Sequence, residues 1–161
     1  MNLLFLDCEW ADVLASELVS IALVPLDGER VFYAERAALP EPAPWAAETV
    51  YPRLSRGGTV MDDAAMTRAL RAHLADFDEV SICYDHGASR AFCEAVLDGP
   101  ESVDSEALGP RPCEVRWDRV RDMGRALERW WRAHPDAARH RHHALMDAQA
   151  LRGAWLSLWA F

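Results

Sequence analysis

Apolar positions change their spacing several times along this chain, and each change marks an element. Residues 3–7 (LLFLD) form a short apolar run ending on an acid, as in a buried strand. A second run over 17–25 (ELVSIALVP) stops at Pro25, Asp27-Gly28 gives a turn signal, and 30–35 (RVFYAE) follows as a third strand. Residues 17–35 therefore read as a hairpin, and the first three strands as a meander. Periodicity lapses over 39–60, where Pro40, Pro42, Pro44, Pro52 and Gly57-Gly58 predict a loop long enough to act as a flap. Trp45 and Tyr51 in it read as anchors of the loop rather than a cover over a site. The spacing of Met66, Leu70, Leu74 and Phe77 predicts a helix over 63–77, capped by Asp62 or Asp63. A fourth strand over 79–84 (EVSICY) leads to a helix over 86–97, a loop over 98–112 and a short fifth strand at 113–117 (CEVRW). Helices over 118–133 and 143–158 follow, divided by His134-Pro135. This order predicts one α/β domain over 1–161, a mixed sheet of about five strands flanked by helices.

Composition narrows the classes of function. With 161 residues and 51% apolar content, the chain can bury one real core. No run of about 18 apolar residues occurs, so no membrane span is expected. The opening MNLLFLDCEW has no basic segment and meets an acid at position 7, unlike a signal peptide. Cys8, Cys83, Cys93 and Cys113 lie far apart and read as reduced, mostly buried thiols of a cytoplasmic protein. A net charge of −9 argues against tight, indiscriminate binding of long nucleic acid. That charge is unevenly spread. Residues 1–110 hold 20 acids against 7 arginines, leaving −13, while 111–161 hold 6 against 10, leaving +4. Every basic residue is Arg, whose planar fork suits phosphate, although uniform Arg use also follows from genome composition alone. For a nucleic-acid substrate, Arg119, Arg125, Arg132 and Arg141 are where backbone contacts are expected.

Four acids carry the chemistry. In an extended segment Asp7 and Glu9 face the same side while Cys8 faces away. Asp85 directly follows the apolar strand, and Asp147 lies in the early turns of the last helix. Singly, these are a solvated strand end, a helix cap and a polar helix start. Jointly, at one sheet edge, they repel each other unless cations neutralise them. Oxygen ligands suit Mg²⁺ or Mn²⁺, and two such ions can clamp both oxygens of a phosphodiester displacement. A base that works near neutral pH is then needed, and histidine suits it.

The stretches FLDCEW, CYDHGASRAF and HHALMDAQAL resemble the three motifs of the DEDD (DnaQ-like) 3′–5′ exonuclease superfamily. The resemblance spans the whole chain. His142, five residues before Asp147, resembles the h subgroup, since the y subgroup carries Tyr at minus four, where this chain has His143. The flow of motifs is most similar to small stand-alone bacterial exoribonucleases of the ribonuclease AS kind. It implies a ribonuclease-H-like fold, Asp7, Glu9, Asp85 and Asp147 as ligands of two divalent cations, and His142 as general base. The implied partner is a single-stranded 3′ end, RNA favoured, with nucleoside 5′-monophosphate released. Ser81 departs from the Asn that many members carry four residues before the second-motif Asp, which weakens the link to the DNA-proofreading branch. Two rivals stand beside this reading: a DNA exonuclease of the same fold, and an exonuclease-like module that binds without cutting.

Smaller expectations attach to other residues. Trp10 is a candidate to stack on the terminal base, against a plain core role. His86 and Arg141 are candidate phosphate contacts. The Trp130-Trp131 pair turns one ring outward or into a partner subunit, as in a homodimer. His140 completes HRHH, but no Cys stands near enough to suggest zinc. The last helix is expected to begin near 143, with His142 in the loop before it and His143 turned to solvent or capping its own turn.

Overall fold

The structure is a computed structural model that describes residues 2–112 and 114–159. Six strands form one mixed sheet: β1 (Asn2–Trp10), β2 (Leu18–Pro25), β3 (Phe32–Arg36), β4 (Val60–Met61), β5 (Val80–Tyr84) and β6 (Val115–Arg119), in the order β4-β3-β2-β1-β5-β6. The first three strands are the expected antiparallel meander, while β5 runs parallel to β1, and β6 parallel to β5. All eight residues of β2 are buried, which explains its unbroken apolar run: helices cover both its faces. The arrangement is consistent with a ribonuclease-H-like layout without being specific to it.

Two helical layers enclose the sheet. On one face lie α2 (Asp63–Leu74) and α3 (Gly87–Asp98), whose Met66, Leu70 and Phe92 join Leu4, Leu6, Cys8, Ile21 and Ile82 in the main core. On the other lie α4 (Gly124–Ala133) and α6 (Ala144–Trp159), where Met123, Ala126, Leu151 and Ala154 meet Phe5 and Cys83. Alternation along β1 thus sends Leu4, Leu6 and Cys8 to one layer and Phe5 to the other. Asp7 and Glu9 share the parity of Phe5 and fall on the α4/α6 side.

Several boundaries differ from expectation. The Pro-rich 39–60 stretch holds α1 (Pro44–Thr49), started by its first-turn proline, two 3₁₀ turns (Tyr51–Arg53 and Gly57–Thr59) and the start of β4, the sixth strand. Ala46 and Val50 bury against Ala11 and Val19, with Trp45 and Tyr51 packed around them, so the loop aromatics are anchors. Asp62 caps α2 by accepting from the Ala65 N–H at 2.7 Å, and that helix stops at Leu74. Strand β6 continues to Arg119, pushing the start of α4 to Gly124; beyond His134 the chain makes the short α5 (Pro135–Ala138). Cys8, Cys83 and Cys93 are free and buried, whereas Cys113 lies outside the described residues. No helix among the described residues is long and apolar enough to cross a membrane.

Candidate metal centre

Strand β1 does not close at Asp7. It runs on to Trp10, pairing Asp7 with Ala22 and Glu9 with Ser20 before its register shifts between Glu9 and Trp10. An irregularity of this kind re-aims the strand beside a site. Asp85 stands one residue beyond β5, the parallel neighbour of β1, and Asp147 lies in the first turn of α6. Asp7, Asp85, Arg141, His142 and Asp147 line one cavity of about 180 Å³, walled by Leu127, Trp131 and Leu151. Glu9, His142 and Asp147 offer ligand atoms that all lie within 4.8 Å of one another, a cluster able to hold one metal ion.

The opening of α6 creates this geometry. His142 has a left-handed backbone, φ 66°, and its N–H donates to Asp147 Oδ2 at 3.1 Å. His142 thus lies in the loop before the helix, as expected. His143, in contrast, is not turned to solvent. It is 8% exposed, its ring stacks on Tyr33 at 4.6 Å, and its Nε2 lies 3.0 Å from Ser55 Oγ. Its carbonyl accepts the Asp147 N–H at 3.0 Å, closing the first turn. Pinning the ring of His143 leaves the preceding residue to swing back towards the acids.

Electrostatics show what the acids lack. Burial, and then the charges of Glu9, Asp147 and Asp85, hold the Asp7 carboxyl well above its ordinary 3.8. Burial and the adjacent Asp147 push Glu9 from 4.5 up to about 9. Burial raises Asp147 to about 6, although the His142 N–H and Arg141 pull the other way. Asp147 Oδ1 is buried with no hydrogen-bond partner among the described residues. Crowded oxygens, raised pKa values and an orphaned carboxylate atom are the pattern that a hard divalent cation resolves. His142 shifts the opposite way: burial, Arg53 and Arg141 lower its pKa, which favours the neutral ring.

The other expected contacts fare differently. Arg141 lines the cavity, pairs with Glu128 and lies over the Trp131 ring at 5.1 Å. Trp10 and His86 are not among the cavity-lining residues. Their rings meet at 5.0 Å, Trp10 also packs on Phe92, and His86 Nδ1 accepts the Ala88 N–H as the cap of α3. Ser81 is fully buried and donates to Asp118. Two groups went unforeseen. Arg53 brings positive charge near Glu9 and His142 from the Pro-rich segment. Glu35, fully buried, accepts from Tyr33 Oη (2.6 Å) and from the N–H groups of Ser55 (2.5 Å) and Arg56 (2.9 Å), tying that segment to β3. Neither has a local signal for its role, since Arg53 acts on residues distant in sequence, as do the bonds of Glu35 to Ser55 and Arg56.

No protein-family model matches this chain, and no curated protein aligns with it significantly.

Proposed function

We propose that this protein is a metal-dependent 3′–5′ exonuclease acting on single-stranded nucleic acid, with RNA the favoured substrate and nucleoside 5′-monophosphate the product. The observation that carries this reading is the gathering of Asp7, Asp85, His142 and Asp147 around one small cavity, with Glu9 in ligand reach of His142 and Asp147. The central β1, flanked by an antiparallel and a parallel neighbour, supports a ribonuclease-H-like layout in the same reading. Asp7, Glu9, Asp85 and Asp147 would hold two divalent cations, Mg²⁺ or Mn²⁺, which supply positive charge for binding phosphate and stabilising the charge of its displacement. His142 accepts the proton of the attacking water, a task that needs the neutral ring its surroundings favour. The His142 N–H meanwhile keeps the Asp147 carboxylate aimed. Arg141 stands at the rim to receive a phosphate oxygen, braced by Glu128 and Trp131.

Matched 5′-labelled RNA and DNA oligonucleotides, incubated with and without Mn²⁺, test the reading. A ladder shortening from the 3′ end, faster on RNA and absent without metal, is the expected result. Equal or faster loss from DNA makes the substrate DNA. Calorimetric titration of Mn²⁺ into the protein reads the site independently of turnover, and a protein that binds neither metal nor strand ends the proposal.

A further inference from the structure

The cavity that holds the acids does not end at them. Asp85 and Leu127 also line a second depression of about 410 Å³, formed by the turn between β6 and α4 with Arg119 and Arg121. Gly124 then leads into a third, of about 390 Å³, bordered by Arg125, Arg129 and Arg132. The turn is fixed to the site: the Val120 N–H donates to the Tyr84 carbonyl at 2.9 Å, one residue before Asp85. The last three arginines recur every three or four residues, one face of α4, and span about 10 Å at the helical rise of 1.5 Å per residue.

These five arginines are exposed and make no ion pair or side-chain hydrogen bond among the described residues, unlike Arg36, Arg56, Arg90, Arg111 and Arg141. The acids within the two depressions are Asp85, Asp122 and Glu128, the last already paired with Arg141. In a chain of net charge −9, an unneutralised cationic run leading from the acidic cavity has an anionic complement.

We propose that this run is the track for the backbone phosphates of the strand upstream of the scissile 3′ terminus. The proposal rests on the exonuclease reading and adds where the rest of the substrate lies. The terminal nucleotide occupies the acidic cavity. Arg119 and Arg121 take the next phosphates, and Arg125, Arg129 and Arg132 take those further towards the 5′ end.

The test is binding of a short 5′-fluorescein single-stranded RNA with a free 3′ hydroxyl, followed by anisotropy in Ca²⁺ between about 50 and 200 mM salt. Each phosphate contact on a single strand adds about 0.7 to the slope of log affinity against log salt. The combined R121Q, R125Q and R129Q protein should lose about 2 from that slope and bind at least roughly ten-fold more weakly at the lowest salt. The single R121Q protein should lose about one contact's worth, while R68Q, on exposed α2 surface, keeps the wild-type slope. Melting curves show that each variant is folded. Unchanged slopes in the triple variant overturn the track while leaving a cutting enzyme intact. A wild-type protein that neither binds the strand nor shortens it with Mn²⁺ removes the exonuclease reading, and the track with it.

Discussion

His142 holds a backbone conformation that costs a non-glycine residue roughly 1–2 kcal/mol, and the surrounding contacts keep it there. Its N–H serves Asp147 while its ring carries the proposed role of base, so substitution of the side chain separates the two. His142→Ala should lower turnover on the order of 10²–10⁴-fold while the Mn²⁺ titration keeps its midpoint. A collapse of metal affinity instead would make His142 a ligand rather than a base. The wild-type rate should rise with pH on the acid side of neutrality, because the ring's pKa lies below 6.5, and the variant should lack that limb. His143→Ala removes a stacked, hydrogen-bonded ring and strands Ser55; it should cost about 1–3 kcal/mol in a denaturant melt, with far less effect on turnover than His142→Ala. Glu9 and Asp147 contribute to the pH response of the metal-free fold. Their folded pKa values, about 9 and about 6, exceed the unfolded 4.5 and 3.8, so the native state binds more protons in between. Metal-free stability is therefore greatest below about pH 4 as far as these two groups decide it, and it declines as pH rises towards 9. Melts across that range should show a shallower decline for Glu9→Gln, and added Mn²⁺ should raise the wild-type melting temperature most at the alkaline end.

At the scale of elements, what the sequence displays is what acts locally. Alternation in β1 placed Asp7 and Glu9 on one side and Cys8 on the other, and the run before Asp85 made β5 recognisable. The start of α6, one residue past the expected 143, was legible for the same reason. Hidden features depend on partners far along the chain. His143 looked like a solvent-facing helix start because Tyr33 and Ser55, which bury it, belong to other elements. Residues 118–119 carry no strand signal of their own and extend β6 because β5 supplies a ladder, Cys83 against Asp118 and Tyr84 against Arg119. The contact of α4 with α6 is equally silent in sequence. A Cβ on Gly153 would fall 2.0 Å from Trp130 Nε1, whose ring is itself stacked on His134 at 4.2 Å. Gly153→Ala should therefore destabilise by about 1–3 kcal/mol, the usual cost of overpacking, despite the better helix propensity of Ala. A melt that shows the variant as stable as wild type would mean that Trp130 yields freely.

For the whole molecule, the proposed activity depends on a free chain end reaching a small acidic cavity. A 3′-phosphate adds negative charge where carboxylates already crowd, so it should block or strongly slow shortening of an otherwise identical strand. A circular single strand should stay intact, and internal cuts in it on a denaturing gel would contradict the assignment. The order of strands adds a matter of timing. The central strand β1 is made well before its parallel partner β5, with Asn2 opposite Val80. At a synthesis rate of about 5–20 residues per second, the nascent meander waits seconds with one side of β1 bare. Asp147 emerges later still, on α6. A polypeptide that stops short of that helix holds three of the four carboxylates and lacks Asp147, so the proposed metal centre is completed only once α6 has been made.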